Sequence, residues 1–121
     1  EILNAAYNDA AGITAAFNLN LLTRINRELG ADFNLQQFAH KAFFNEQESR
    51  IEMHLVSQKD QRVSIADCCF DFSAGETIHT ENSHKYSVAG FQAMATRAGF
   101  QPVKAWSDAH NLFSVQFFTA R

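Results

Sequence analysis

The first quarter of the chain carries apolar residues at helical spacing. They recur every four residues, at Ile13, Phe17, Leu21, Ile25 and Leu29. This period predicts a long amphipathic helix with one apolar stripe. Asn8 or Asp9 is suited to cap its start, and Gly30 stands where a helix can end in the left-handed conformation. Asn34 is then predicted to cap a short turn at residues 35–38.

The pattern changes to strands after this turn. A polar turn separates two segments of strand character and predicts an antiparallel hairpin, with strands at residues 39–45 and 50–57. In the second strand Ile51, Met53 and Leu55 alternate with polar residues, so their side chains are predicted to face the long helix or a pocket. Two shorter strands are predicted to complete a small meander, at residues 62–65 and 69–72.

A second helix is predicted after Ser87, whose hydroxyl is a good N-cap, and Gly99 stands at its terminating position. Two further strands are predicted to form an antiparallel pair, at residues 101–106 and 112–118. The elements together predict an α+β fold. In this fold a long N-terminal helix packs on a small antiparallel sheet, and a helix and a terminal antiparallel strand pair follow.

A polar stretch at residues 75–87 lies before the second helix and contains carboxylates, hydroxyls, an amide and two imidazoles. If this stretch runs as a strand, its two-residue period sends alternate side chains to one side. These are Thr77, His79, Glu81 and Ser83. A carboxylate beside a hydroxyl, Glu81 beside Ser83, is suited to bind an imidazole or an amine. The alternative is that these residues only cap the next helix and hydrogen-bond a turn.

Composition and charge argue against several function classes. The net charge of -3 and the lack of a basic stripe argue against a nucleic-acid partner. No apolar run approaches the ~20 residues of a spanning helix, so no membrane role is predicted. The adjacent Cys68 and Cys69 suit neither a disulfide framework nor a chelating pair. They are predicted to be reduced core or half-core residues of a cytoplasmic protein.

No motif for metal or phosphate binding can be read from the sequence. The five histidines lack the paired spacing typical of a metal site, and the five glycines are too dispersed for a phosphate-binding loop. No nucleophile beside a positioned base can be read either. From the residues alone, the sequence predicts a soluble α+β domain with a polar strand able to bind a ligand.

Four stretches, taken in order, resemble the histidine-specific S-adenosylmethionine-dependent methyltransferases. They are AYNDAAGITAAFN at residues 6–18, NRELGADF at 26–33, RIEMHL at 50–55 and GETIHTENSHKY at 75–86. The resemblance spans essentially the whole chain and uses several motifs. This is the family of the enzyme that trimethylates the α-amino group of L-histidine on the ergothioneine pathway.

The resemblance implies that the chain is one compact fragment, residues 1–121, of a longer methyltransferase. Residues 1–84 are similar to the substrate-recognition region of the family, and residues 85–121 to the last helix and last two strands of its methyltransferase-type α/β sheet. The N-terminal half, which binds S-adenosylmethionine, is expected to precede Glu1, in agreement with the lack of an initiating methionine. The fragment is expected to be inactive without that half.

The resemblance also implies the position of the substrate site. The substrate-binding positions carried over are Glu81, Ser83, Met53, Tyr7, Thr14 and Asn18. Glu81 and Ser83 would hold the imidazole of L-histidine or a related amino acid, and Met53 would pack against it. No catalytic, cofactor-binding or metal-binding residue is expected within this chain.

Two alternatives stay open. The same α+β fragment could serve as a non-catalytic module that binds a small molecule or a protein. A glycine-rich loop upstream in the full-length gene would favour the enzyme over the module. Independently, the terminal strand pair would lack its neighbouring strands, so the isolated fragment could self-associate through the exposed edge.

Overall fold

The computed structural model describes residues 1–121, which form two compact units, Glu1–His84 and Lys85–Arg121. The helices of the first unit are α1 (Ile2–Tyr7), α2 (Ile13–Leu29) and a short 3₁₀ helix (Leu35–Gln37). Its strands are β1 (Phe38–Asn45), β2 (Arg50–Ser57), β3 (Gln61–Ile65), β4 (Cys68–Phe72) and β5 (Thr77–His84). The second unit contains α3 (Val88–Arg97), β6 (Phe100–Ser107) and β7 (Ser114–Ala120). No helix is both long enough and apolar enough to cross a membrane.

The main sheet of the first unit has three antiparallel strands in the order β1–β2–β5. The predicted hairpin of β1 and β2 and the predicted α+β class are confirmed. The predicted meander is wrong, because β3 and β4 pair with each other in a separate two-stranded sheet. The chain returns to β2 after β4, where Gly75 donates its backbone N–H to Ser57 and Ser57 donates to Glu76. That exchange starts β5 along the free edge of β2.

A β-bulge at Thr80 divides β5 into two halves. Glu81 lies opposite Met53 and His79 lies opposite His54, so Thr80 is the extra residue between them. Directly opposed residues of an antiparallel pair place their side chains on the same side of the sheet. The predicted alternation is therefore wrong in part. Glu81 and Ser83 share one side of the sheet, whereas Thr77 and His79 lie on the other.

The N-terminal region forms two helices rather than one. The predicted long helix begins at Ile13, and the sequence pattern did not reveal α1 before it. The predicted N-cap at Asn8 or Asp9 is wrong, because Gly12 is the N-cap residue of α2. The carboxylate of Asp9 nevertheless accepts hydrogen bonds from the first-turn backbone N–H groups of Ile13 at 2.9 Å and Thr14 at 3.0 Å. Asn8 has a different role. Its amide donates to the carbonyl of Ala42 in β1 at 2.9 Å, which fastens α1 to the sheet.

The face of α2 that packs on the sheet matches the predicted apolar stripe only at Ile25, which is half-buried against the core. Leu22 is completely buried, whereas Ile13 is 70% and Phe17 is 65% exposed. A four-residue repeat advances about 40° per step around a helix of 3.6 residues per turn, so the stripe winds away from the sheet. The buried positions Asn18 and Leu22 are instead one turn apart on a single face.

Two clusters form the core of the first unit. The larger cluster joins α2 to both sheets and consists of Leu22, Phe33, Phe38, Leu55 and Val63. Within it Phe33 and Phe38 contact edge to face, with ring centroids 5.6 Å apart. The smaller cluster of Ala42, Ile51 and Met53 is covered by the first helix. The predicted inward orientation of Ile51, Met53 and Leu55 is confirmed, since all three are buried.

The second unit follows its predicted elements. Ser87 caps α3 by accepting a hydrogen bond from the N–H of Gly90 at 3.0 Å, and β6 and β7 form the predicted antiparallel pair. Phe91 of α3 contacts Phe118 of β7. Several large apolar side chains of this unit are nevertheless exposed, namely Phe100, Val103, Trp106, Leu112, Phe113, Val115 and Phe117.

The two cysteines do not lie in the core. Cys68 and Cys69 are free and exposed in β4. Their predicted core or half-core position is wrong, because β4 belongs to a two-stranded sheet and four of its five residues are exposed.

Replacing Leu22 with alanine is expected to destabilise the chain by about 2–5 kcal/mol, because the change removes a buried side chain and leaves a cavity. Leu21→Ala, at the neighbouring exposed position, is the matched control and should cost much less. Urea unfolding of the three chains measures both changes. Equal losses would mean that α2 packs through the originally predicted stripe.

Asp9→Asn is expected to destabilise the chain, because an amide offers one oxygen to the two N–H groups that the carboxylate binds. Hydrogen bonds from Thr14, and then from Ile13, lower the pKa of Asp9 from 3.8 to about 2. The contribution of the ionised Asp9 to the free energy of unfolding is therefore complete above the unfolded-state pKa of about 3.9. It is lost as the pH falls through about 2.

Unfolding free energies measured from about pH 5 down to about pH 2 test this linkage. The difference between wild type and Asp9→Asn should shrink steadily as the pH falls. Asp67→Asn, at an exposed turn position between β3 and β4, is the control. A wild-type advantage that stayed constant over this range would contradict the stabilisation of the first turn of α2 by the Asp9 carboxylate.

Candidate substrate site

Three of the sequence-predicted site residues meet on the helix-facing side of the main sheet. Ser83 of β5 lies opposite Ile51 of β2, and its hydroxyl is 2.9 Å from the phenolic oxygen of Tyr7. Tyr7 packs against the small core cluster that contains Met53. The end of α1 therefore holds a phenol over the same part of the sheet that presents Ser83 and Met53.

Glu81 shares this side of the sheet because it lies directly opposite Met53. Its side chain is exposed and makes no hydrogen bond or ion pair within the chain, so both carboxylate oxygens are open to a ligand. Glu81 also lines an open groove of about 180 Å³ between β5 and α2. The other lining residues are Phe17, Asn18, Asn20, Leu21, Arg24 and Thr80.

Asn18 closes the base of this groove from α2 and is only 2% exposed. Its amide nitrogen donates to the backbone carbonyl of His54 at 3.1 Å and lies 3.0 Å from Nδ1 of His40. Its amide oxygen accepts from the hydroxyl of Thr80 at 2.6 Å. The same hydroxyl lies 3.0 Å from the carbonyl of Met53. Asn18 thus bridges α2 to both strands beside Glu81.

His40 extends this network to the end of α1. Its Nε2 lies 2.8 Å from the backbone carbonyl of Tyr7, and a carbonyl can only accept. Nε2 therefore carries the proton, and Nδ1 of the neutral ring accepts from the amide of Asn18. One chain of hydrogen bonds, Tyr7–His40–Asn18–Thr80, therefore links the residue that contacts Ser83 to the bulge that orients Glu81.

Thr14 is the one predicted site residue that the structure does not place with the others. It is half-buried one turn before Asn18, and its hydrogen bonds are to Asp9. Thr14 therefore contributes to the start of α2, and its contact with a bound amino acid stays a prediction.

Sequence analysis did not reveal His40 or Thr80. Thr80 stands in the family-like stretch 75–86 but was assigned no role there, His40 stands in no motif, and each acquires its role only when β1 and β5 flank β2. The one available signal was the pair of mid-helix asparagines, Asn18 and Asn20, of which the structure buries the first and exposes the second. A buried amide requires partners, and β-strands from distant parts of the chain provide them.

The opposite side of the main sheet carries a second polar group of residues. Glu52 is 7% exposed, and its carboxylate accepts from Nε2 of His54 at 3.0 Å and from the guanidinium of Arg50 at 2.8 Å. These bonds, with the contribution of His54 the larger, lower the pKa of Glu52 from 4.5 to about 2. This carboxylate is therefore ionised and held in place at neutral pH.

The groove presents the carboxylate of Glu81 among polar and apolar side chains, and the hydroxyl of Ser83 follows two residues later on the same side of the sheet. Such a combination can accept a hydrogen bond from a ring N–H and meet a second ring nitrogen with a hydroxyl. The volume of about 180 Å³ is below the ~300–1,000 Å³ of sites for drug-sized ligands. A ligand of amino-acid size suits it better.

Comparison with known proteins agrees with this chemistry. The family model described as histidine-specific methyltransferase, SAM-dependent, matches residues 1–120. Histidine N-alpha-methyltransferase of Mycolicibacterium smegmatis is 47% identical over 105 residues. The enzyme of the same name from Mycobacterium tuberculosis is 44% identical over 105 residues. Each alignment covers 85% of this chain and 33% of the relative, so the chain spans about a third of the length of these relatives.

The resemblance noted in the sequence is thus confirmed by a match that extends over nearly every residue. On this evidence the chain belongs to the family of histidine-specific, S-adenosylmethionine-dependent methyltransferases.

Proposed function

We propose that this chain is the substrate-recognition part of an S-adenosylmethionine-dependent enzyme that methylates the α-amino group of L-histidine, as on the ergothioneine pathway. The observation that carries the proposal is the position of Glu81 and Ser83 on one side of β5, with Met53 opposite Glu81 and Tyr7 on Ser83. The family membership supports it. The cytoplasmic location stays a prediction.

Recognition of the imidazole would rest on two complementary hydrogen bonds. The open carboxylate of Glu81 would accept from one ring N–H, and the hydroxyl of Ser83 would meet the other ring nitrogen. Tyr7 would orient that hydroxyl. If the rest of the full-length protein covers the groove, Glu81 and Ser83 would be shielded from water, and a substrate without matching groups would leave them unpaired. An aliphatic amino acid would therefore be rejected.

The methyl donor would be held outside this chain. The chain spans about a third of the length of its relatives, and the proposed donor site lies in the remaining part. S-adenosylmethionine, when bound, would supply an electrophilic methyl group. The residues of this chain would fix the amino acid by its ring, exclude water around it and present its α-amino group in a fixed direction. The isolated chain would accordingly bind substrate without turning it over.

The exposed apolar side chains of the second unit favour a covering partner. Trp106 and Val115 lie opposite each other on β6 and β7, and Phe117 follows on the same side. All three are about half exposed. Large exposed apolar patches are typical of interaction surfaces. The rest of the full-length protein is the proposed partner, with self-association as the alternative in the isolated chain.

We also infer that Asn18 is a positioning residue, although its direct contact with substrate stays a prediction. All three hydrogen bonds of its side chain run to the protein, and one of them fixes Thr80 in the bulge immediately before Glu81. Its amide is thus already committed to holding α2 against β2 and β5. The groove that Asn18 lines would lose its shape without it.

The substrate assignment is tested by calorimetric titration of L-histidine into the full-length protein with the demethylated cofactor present. Glu81→Gln is expected to weaken binding about 10- to 150-fold, because a hydrogen bond to a charged group contributes about 1.5–3 kcal/mol. Glu46→Gln, in the exposed turn between β1 and β2, is the matched control. Failure of the folded wild type to bind histidine would favour a non-catalytic module, as would the lack of a glycine-rich loop upstream.

The positioning role of Asn18 is tested through Thr80→Val, which removes the hydroxyl at nearly constant volume. The variant leaves the buried oxygen of Asn18 without its donor, so a loss of about 1–3 kcal/mol in unfolding free energy is expected. Histidine affinity should fall as well. Asn20→Ala, at an exposed position lining the same groove, is the control. Reduced stability with unchanged histidine affinity would show that the network does not position the site.

A further inference from the structure

Two histidines from distant parts of the sequence form a direct cross-strand pair on the outer side of the main sheet. His54 of β2 lies opposite His79 of β5, and their rings stack with centroids 4.3 Å apart. Glu52 precedes His54 by two residues and so lies on the same side of β2. Ligand atoms of all three side chains lie within 4.8 Å of one another. We call these three residues the outer-face cluster.

We propose that the outer-face cluster is a binding site for a divalent transition-metal ion of the Zn²⁺ class. Two imidazoles and a carboxylate make up a donor set that such ions favour, and three protein ligands leave a further position for water. This site is separate from the substrate groove, because Glu81 and Ser83 lie on the other side of the sheet. The proposal does not rest on the methyltransferase function.

Neighbouring residues hold two of the three ligands in place. One oxygen of Glu52 is fixed by Arg50 at 2.8 Å and by Asn45 at 3.2 Å, which leaves the other oxygen directed at His54. The ring of His54 stacks on Phe43 on its second face. Partners of this kind orient metal ligands and exclude alternative rotamers.

The hydroxyl of Thr77 can accept a hydrogen bond from the tautomer of His54 that metal binding requires. Its hydroxyl lies 3.1 Å from Nδ1 of His54, while Nε2 of the same ring contacts Glu52. With a metal ion on Nε2, the ring proton moves to Nδ1 and is donated to the hydroxyl oxygen of Thr77. The ring of His54 stays neutral, because its one N–H proton only changes place from Nε2 to Nδ1.

His79 supplies the movement that coordination requires. The Glu52 oxygen and Nε2 of His54 already lie 3.0 Å apart, as two ligands of one ion can, whereas His79 would have to bring a ring nitrogen closer to form a metal bond of about 2.0–2.2 Å. Stacked rings also direct their nitrogen lone pairs along parallel planes, so one ring has to turn. His79 is exposed and is tied by a single hydrogen bond to Asn82 at 2.7 Å, which it can release by rotation.

The histidine spacing in the sequence gave no indication of this cluster. His54 and His79 are far apart along the chain, and metal motifs are read from short, regular separations. The bulge at Thr80 is what brings them together. Without the extra residue, Thr80 would occupy the position opposite His54 and His79 would lie on the helix-facing side.

The proposal is tested by titrating ZnCl₂ into the metal-free full-length protein and following the heat released. Wild type should bind one Zn²⁺ that His79→Gln does not bind, or binds at least about tenfold more weakly through loss of one ligand. His110→Gln, which replaces an exposed histidine of the second unit, is the matched control and should bind like wild type.

Co²⁺ provides a second readout, since its visible absorption reports ligand type and geometry. A spectrum of nitrogen and oxygen ligands in wild type that is lost in His79→Gln would support the site. Equal Zn²⁺ binding by wild type and His79→Gln would overturn the proposal, as would no binding by wild type. The circular dichroism spectra should coincide, because His79 is exposed. Histidine binding serves as an independent check that the substrate groove is intact.

Discussion

The buried amide of Asn18 is the interaction on which the arrangement of the first unit depends. It is the point where α2 is joined by hydrogen bonds to β2, to β5 and, through His40, to the end of α1. An amide withdrawn from water has a high cost unless each of its groups is paired. The hydrogen bonds therefore fix both the rotation of α2 about its axis and its position along that axis. The burial of Leu22 against the sheet follows from this orientation.

This constraint explains why the polar side chains of the candidate site have fixed relative positions. Apolar packing alone would not fix them. Hydrophobic contacts tolerate small rotations of a helix, whereas a hydrogen bond is lost within a few tenths of an ångström or a few tens of degrees. Tyr7, Glu81 and Ser83 come from two elements that do not follow each other in the sequence. Their relative positions are set by the network between those elements and by the pairing of β2 with β5.

Much of the fold follows from local pattern, and the site follows only in part. The hairpin, the caps at Ser87 and Asn34, and the inward row of β2 depend on neighbouring residues and were predicted. The order of strands, the rotation of α2 and the bulge depend on contacts between residues far apart in sequence. No periodicity records such contacts. The grouping of Glu81 with Ser83 survived because both lie on the same side of the bulge.

The bulge also changes how relatives of this chain should be compared. Before Thr80, the odd-numbered residues Thr77 and His79 of β5 face outward, and after it the odd-numbered residues Glu81 and Ser83 lie on the helix-facing side of the sheet. An alignment column therefore keeps its structural meaning only among proteins that keep the extra residue. A relative that lacks this one residue could still be aligned without difficulty. Half of its strand would nevertheless direct its side chains to the opposite side of the sheet from the aligned residues here. Differences in ligand preference inferred from such columns would then be assigned to side chains that never meet the ligand.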